Sequence, residues 1–379
     1  MKKIGIIGST GYIGRQTLDV VERNKDYFEL IFISCHKNIE LIKKQKTVHN
    51  PKYIVATGIK KNYRDNNLYF GWDSIKSIIE SQHLDLLVVA ASGIDCIYTI
   101  LYALENKINI ATANKETIVL AGNIIMELAN INNINIIPID SEHSGVFQCL
   151  QGNKKEHIRD IIITASGGPF LDKKRDELKD ITLKDALKHP VWPMGNSITI
   201  DSATMMNKAL ELIELHYLFN MPADQLSTII HPQAIIHSFV NFIDGSTIAQ
   251  LSVPDMRIPI TYALTYPNRI VADYTLLDLA NVGNLTFIKP NYKRFPLLAK
   301  VKDIIKSSFN SYTVALLTAN ELAVNAFLNE KIPFLAIEYI IEKTLDTIKP
   351  LKLKSIDDIL SFRNYIKIKI NNKIEEYNK

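Results

Sequence analysis

The sequence predicts an α/β protein with an N-terminal doubly wound domain, a central α+β domain and a C-terminal helical domain. Three observations carry this. Short β-rich runs alternate with helix-length segments over the first 140 residues. A glycine-rich turn follows the first run, as at the opening of a parallel sheet. After Asp140 the strands gather around one long helix, and the chain then turns wholly helical in periodicity.

The elements follow in order. Strands are expected at Lys3–Gly8, Glu29–Cys35, Lys52–Thr57, Asp85–Ala91, Asn109–Thr112 and Asn135–Ile139. Several are apolar throughout, as expected where helices cover both faces of a sheet. Helices are expected between them, at Ile13–Arg23, Ile39–Thr47 and Glu116–Asn130. Arg159–Ala165, Ser197–Asp201, Thr228–Ile230, Ile235–Phe242 and Thr247–Val253 read as strands around a helix at Ala203–Phe219. The expected domains are 1–140, 141–265 with a lid at about 186–197, a linker at 266–292 and a helical domain at 293–379. From Phe295 onward, Leu297, Leu298, Val301, Ile304 and Ile305 share one helical face.

Composition excludes several classes. The 379 residues are 47% hydrophobic and 22% charged, ordinary for a globular protein. Lys and Arg number 44 against 40 Asp and Glu, so no nucleic-acid or membrane partner is expected. Cys35, Cys96 and Cys149 are odd in number and widely spaced. They form no disulfide framework or thiolate zinc site, and reduced thiols in a cytoplasm are the simple reading. The apolar run after Met1-Lys2-Lys3 is too short for a signal peptide, and no segment is long and apolar enough to span a bilayer.

Gly8-Ser-Thr-Gly11-Tyr-Ile-Gly14 follows the first strand and opens the first helix. Missing Cβ atoms let the backbone approach a pyrophosphate, and the helix N-terminus offers N–H groups and a positive dipole end. The domain is therefore Rossmann-like. At the end of the second strand, Ser34-Cys-His36-Lys37-Asn38 has no acid for ribose hydroxyls, and Lys37 and Asn38 favour NADP over NAD. Asp140 and Glu142 flank Ser141 at a strand end, where i and i+2 converge if the chain stays extended. Two carboxylates without a thiol suit Mg²⁺ or Mn²⁺. On the long helix, which Ser202 can cap, Asn207, Lys208 and Glu211 share a face. A surface salt bridge between Lys208 and Glu211 is the plainer alternative. Ser166-Gly167-Gly168-Pro169 ends another strand and offers donors for a phosphate. His189-Pro-Val-Trp192-Pro-Met194-Gly195 reads as a lid that packs on a ligand. Lys115, in Asn114-Lys115-Glu116, follows a strand end where ligands of such sheets bind.

These motifs occur together and in order. GSTGYIG, TANKET, PIDSEHSGVFQCLQG, ASGGPF, HPVWPMG, ITIDSATMMNKALELIE and HPQAIIHSF make the chain resemble the 1-deoxy-D-xylulose 5-phosphate reductoisomerase family over essentially its whole length. The resemblance implies an NADPH- and metal-dependent enzyme of isoprenoid synthesis that rearranges and reduces a sugar phosphate. It implies a homodimer. By motif, Asp140, Glu142 and Glu211 are the metal ligands, and Lys115, Glu142, His189 and Glu211 the catalytic set. Ser166, Ser202, Asn207 and Lys208 hold the phosphate, and Lys115 and Ser141 contact other substrate oxygens. Trp192 and Met194 close over substrate and nicotinamide, with Gly195 near the cofactor. Thr10, Gly11, Tyr12, Ile13, His36, Lys37, Asn38, Asn114 and Glu116 line the NADPH site. His36 stands where the family often has Gly, Tyr12 where it often has Ser, and Asn196 and Ser197 where it commonly has a basic residue. Two other readings compete: a semialdehyde-type dehydrogenase acting through Cys149, and a non-catalytic NADP-binding regulator.

Overall fold

The computed structural model describes residues 1–59, 68–188 and 195–377. Its chain divides into two compact units. One comprises residues 1–117, 125–147 and 255–275; the other comprises 118–124, 148–254 and 276–379.

The first unit is built on a parallel sheet. In chain order its elements are β1 (Lys2–Ile7), α1 (Tyr12–Arg23), β2 (Phe28–Cys35), α2 (Ile39–His49), β3 (Tyr53–Ala56), β4 (Leu68–Phe70), α3 (Trp72–Gln82), β5 (Leu86–Val89), α4 (Ile97–Glu105), β6 (Asn109–Thr112), α5 (Lys115–Asn132), β7 (Ile136–Pro138) and α6 (Ser141–Cys149). The strand order is β4-β3-β2-β1-β5-β6-β7, and every pairing is parallel. The order therefore reverses between β1 and β5, which opens the crevice where such sheets bind ligands. The inner strands are apolar on both faces because helices cover both: Ile4 and Ile6 of β1 and Leu86 to Val89 of β5 are buried. The edge strand β4 escaped the sequence reading, since three residues carry no resolvable period.

The second unit holds β8 (Ile158–Ala165), α7 (Leu183–Ala186), α8 (Asn196–Ala203), α9 (Met206–Phe219), β9 (Leu226–Ile230), β10 (Ile236–Phe242) and β11 (Thr247–Leu251). Its sheet runs β11-β10-β8-β9, with β8 and β9 parallel and the other pairs antiparallel. Next comes α10 (Arg257–Thr265), which packs on α1 in the first unit. The chain then returns to the second unit with α11 (Leu279–Val282), α12 (Pro296–Ser307), α13 (Asn310–Leu328), α14 (Phe334–Asp346) and α15 (Ile356–Tyr377). These last helices do not stand apart: α12 packs on α9, and α13 packs on α8 and α9. The segment expected as a bare linker carries α11 and a bridge from Ile288 to Ile230.

Three local expectations are corrected. Ser197–Asp201 is helical, as part of α8, although Ile198, Thr199 and Ile200 favour strand. Thr199, Ile200 and Ala203 face inward at helical spacing, and that packing overrides propensity. Ser202 lies in the last turn of α8 and does not cap α9, which starts after Met205 at a left-handed φ of 58°. The chain is not extended from Asp140 to Glu142: Ser141 and Glu142 form the first turn of α6. None of the described helices is long and apolar enough to cross a membrane.

Helix α9 is buried along nearly its whole circumference, with Met206 and every residue from Lys208 to Leu215 inside. Its apolar side chains should therefore dominate the stability of the second unit. Ile213→Ala, at a position with no exposure, is expected to cost about 3 kcal/mol in urea unfolding. Ile368→Ala, at a position 65% exposed, is expected to change stability by less than about 0.5 kcal/mol.

Candidate active site

In the first unit, the turn after β1 is shaped by two glycines. Gly8 has a φ of +85°, and a Cβ there would lie 2.7 Å from the Ala91 backbone. A Cβ on Gly14 would lie 2.2 Å from the Gly8 carbonyl oxygen. The chain thus turns tightly into α1, whose N-cap, Gly11, supplies no side-chain cap. The first-turn N–H groups of Tyr12 and Ile13 are oriented by the helix toward any anion placed there.

A buried polar network pins this turn. The Ser9 hydroxyl donates to Gln45 Oε1 (2.8 Å), and its oxygen lies 3.1 Å from the Ser34 carbonyl. Gln45 Nε2 donates back to the Ser9 carbonyl at 2.8 Å, and Gly8 N–H donates to Ser34 Oγ at 3.2 Å. Ser9, Ser34 and Gln45 were not singled out from the sequence, because nothing in their spacing separates a buried polar residue from a surface one.

At the neighbouring strand end, Lys37 is exposed, while Asn38 Oδ1 caps α2 by accepting from Leu41 N–H (3.1 Å). Asn114 is fully buried and caps α5, accepting from Thr117 N–H at 2.8 Å. Its amide donates to the carbonyls of Ala91 and Gly93, each at 2.7 Å. Glu116 accepts from Gly93 N–H at 3.1 Å. Asn114 and Glu116 therefore shape the loop beyond β5.

Beyond β6 and β7, Lys115 Nζ lies 2.9 Å from Asp140 Oδ2, both side chains being largely buried. Burial resists ionisation of Asp140, but the Lys115 ammonium and then His143 outweigh it and hold the carboxyl well below the usual range. Glu142 sits in the first turn of α6, where the helix dipole favours a negative charge, and accepts from the Ser141 hydroxyl at 2.5 Å.

In the second unit, β8 delivers Ser166-Gly167-Gly168. Both glycines have positive φ (90° and 69°). A Cβ on Gly168 would come within 2.6 Å of the Ser202 carbonyl oxygen, so only glycine allows the β8 turn to close on the end of α8. Gly168 N–H reaches Ser166 Oγ at 3.4 Å. The left-handed Met205 then starts α9 with no side-chain cap, so Ser202, Asn207 and Lys208 surround a helix N-terminus. Lys208 and Glu211 form a short ion pair, 3% and 1% exposed, and Asn207 Nδ2 donates to Glu211 Oε1 at 2.5 Å. A surface salt bridge is therefore excluded. Gly195 is the N-cap of α8 and is exposed, as are Asn196 and Ser197. His189, Trp192 and Met194 of the expected lid lie outside the described residues.

Cys149 is buried, and burial pushes its thiol up to about 11. A buried thiol raised in this way is a poor nucleophile, which argues against the thioester-forming reading.

Comparison with known proteins agrees with this layout. Residues 4–122 match the family model described as 1-deoxy-D-xylulose 5-phosphate reductoisomerase, residues 136–219 that of its C-terminal domain, and residues 251–368 that of the DXP reductoisomerase C-terminal domain. The 1-deoxy-D-xylulose 5-phosphate reductoisomerase of Caldanaerobacter subterraneus subsp. tengcongensis is 45% identical over 369 residues, covering 95% of this chain and 96% of its own. That of Bacillus subtilis is 45% identical over 368 residues, with the same coverage. The solved reductoisomerase from Zymomonas mobilis in complex with NADPH superimposes with a TM-score of 0.90 at 34% identity, covering 99% of each chain. A DOX-P reductoisomerase solved with NADPH, fosmidomycin and magnesium gives 0.91 at 32% identity, covering 99% of this chain and 98% of that one. Matched in sequence and in fold along most of its length, the chain belongs to the 1-deoxy-D-xylulose 5-phosphate reductoisomerase family.

Proposed function

We infer that this protein converts 1-deoxy-D-xylulose 5-phosphate to 2-C-methyl-D-erythritol 4-phosphate, an NADPH-dependent reductoisomerase reaction of non-mevalonate isoprenoid synthesis. The observation that carries this within the family is the buried cluster of Asn207, Lys208 and Glu211 at the uncapped start of α9. A lysine and a glutamate this deep cost several kcal/mol in desolvation, so a structural role alone is weak grounds for them. An ammonium meant for a phosphate and a carboxylate meant for a divalent ion account for both.

The residues present fit both groups that the family requires. The glycine turn, in which a Cβ at Gly8 or Gly14 would strike neighbouring backbone, leads tightly into the uncapped start of α1, whose free N–H groups suit the NADPH pyrophosphate. Thr10, Gly11, Tyr12 and Ile13 line it, with Lys37 for the 2′-phosphate and Asn114, Glu116, Met194 and Gly195 toward the nicotinamide. Asp140, Glu142 and Glu211 are the proposed metal ligands, three carboxylates without a thiol, which suits Mg²⁺ or Mn²⁺. Solved relatives carry NADPH and magnesium.

When bound, the ion polarises the substrate's ketone and adjacent hydroxyl, and NADPH provides the hydride that completes the reaction. The chain's residues do the rest. Lys115 keeps Asp140 ionised and oriented, and Ser141 and Lys115 contact substrate oxygens. Ser166, Ser202, Asn207 and Lys208, with the N–H groups at the start of α9, hold the phosphate and so place the reacting carbons. His189, Trp192 and Met194 exclude water over the reacting end. The family resemblance also supports a homodimer, and the three free cysteines support a cytoplasmic setting.

Two kinetic outcomes test this reading. Glu211→Gln at saturating Mg²⁺ is expected to lower kcat at least about 100-fold, with NADPH binding by fluorescence unchanged within about twofold. Full activity at limiting metal removes Glu211 from the ligand set. Lys37→Ala is expected to raise the KM for NADPH about tenfold and leave that of the sugar phosphate unchanged. Equal rises in both contradict a 2′-phosphate contact.

A further inference from the structure

Two buried asparagines of α13 are used differently. Asn310, at the start of the helix, commits both ends of its amide: Nδ2 donates to the Leu353 carbonyl and Oδ1 accepts from Leu353 N–H, each at 2.8 Å. It fastens α13 to the segment that leads into α15. Asn320, near the middle of the helix, is 3% exposed, on an element where Leu316, Leu317, Ala319, Ala323 and Val324 are also buried. Its Nδ2 donates to Asp201 Oδ1 at 2.8 Å, whereas its Oδ1 is buried and accepts no hydrogen bond from a described residue. Asparagine is a poor helix former, and a buried carbonyl left unpaired lowers stability. A leucine has nearly the same shape and incurs neither cost. The reason for an amide at this position is therefore its one bond, to Asp201.

Asp201 is half-buried in the last turn of α8 and directly precedes Ser202. The backbone grips this turn at one point. Met205 N–H donates to the Ser202 carbonyl at 3.2 Å, and the Gly168 turn closes on the same carbonyl. Helical carbonyls point along the axis, so these contacts resist sliding of α8 more than its rotation. A side chain projects away from the axis, so a bond to Asp201 resists rotation. The other end of that bond is firm: α13 packs on α8, α14 and α15, Asn310 ties its start, and Arg363 of α15 donates to Glu321 Oε2 at 2.5 Å. We propose that Asn320 is a positioning residue for the phosphate site: by holding Asp201 it fixes the rotation of α8 and so aims the Ser202 hydroxyl at the substrate phosphate. The proposal rests on the phosphate reading above. It gives the C-terminal helices a part in substrate binding, exerted through Asp201.

The test is steady-state kinetics, with a Tm for each protein, of Asn320→Leu, Asp201→Ala, Asp201→Asn, Ser202→Ala and the double variant Asn320→Leu/Ser202→Ala. Asn320→Leu and Asp201→Ala each remove the bond, one from the buried side and one from the half-buried side. Each is expected to raise the KM for 1-deoxy-D-xylulose 5-phosphate about tenfold, the worth of one hydrogen bond to a charged group, and to leave that for NADPH unchanged. Asp201→Asn keeps an acceptor for Asn320, and its substrate KM is expected to stay within about twofold of the wild type. The Tm of Asn320→Leu is expected to be no lower than that of the wild type, because the unpaired carbonyl goes with the amide. The double variant is expected to match Ser202→Ala, since aiming a hydroxyl has no value once the hydroxyl is gone. An Asn320→Leu protein with an unchanged substrate KM overturns the proposal. So does one whose two KM values rise alike, or whose effect multiplies with that of Ser202→Ala. If Ser202→Ala itself leaves the substrate KM unchanged, the phosphate reading falls and the proposal with it.

Discussion

A helix that is buried on nearly every side can carry charge only if the charge is matched, and α9 carries Lys208 and Glu211 in its interior. The second unit is arranged around this constraint. α8, α12, α13 and β9 pack around the helix, so its register cannot slide. The left-handed Met205 sets where it begins. Gly168 lets the turn after β8 approach the end of α8 closely, at the Ser202 carbonyl. Lys208 and Glu211 neutralise each other in this frame, and Asn207 takes the remaining carboxylate oxygen. Replacing such a pair by apolar residues is often neutral or stabilising. Its value lies in holding an ammonium and a carboxylate rigidly at a helix N-terminus.

The first unit solves a different problem, which is to expose backbone amides at the sheet's switch point without loosening the turn. It does so with glycine where the chain must pass close to itself, at Gly8 and Gly14, and with the buried exchange among Ser9, Ser34 and Gln45. Asn114 and Glu116 do the same for the loop beyond β5. Residues proposed for the cofactor site thus also build the loops that carry them. Lys115 and Asp140 show the same economy, since the ammonium that would meet the substrate also keeps the carboxylate ionised.

The layout of the parallel sheet was legible in the sequence because its inner strands are apolar throughout and separated by helix-length segments; Asn109–Thr112 agrees residue for residue. The four-stranded sheet was legible wherever its strands alternate or run apolar. Legibility failed where tertiary packing overrides local preference. Ile198-Thr199-Ile200 is β-branched, yet it is helical because its neighbours bury Thr199, Ile200 and Ala203 along one stripe. The break at Met205 left no mark, since methionine is an ordinary helix former and its left-handed φ is imposed from outside. Asn207, Lys208 and Glu211 were correctly placed on one face, but spacing alone could not distinguish a buried face from a solvated one. The motifs, through their resemblance to a family, carried what spacing could not.

The reaction is tested most directly by identifying the product formed by the wild-type protein from isotopically labelled 1-deoxy-D-xylulose 5-phosphate by NMR while following NADPH absorbance, with Mg²⁺ present and then chelated. One NADPH is expected to be consumed for each 2-C-methyl-D-erythritol 4-phosphate formed, with both processes lost together on chelation. NADPH oxidation that persists without metal, or a reduced product with an unrearranged carbon skeleton, would contradict the reductoisomerase reading.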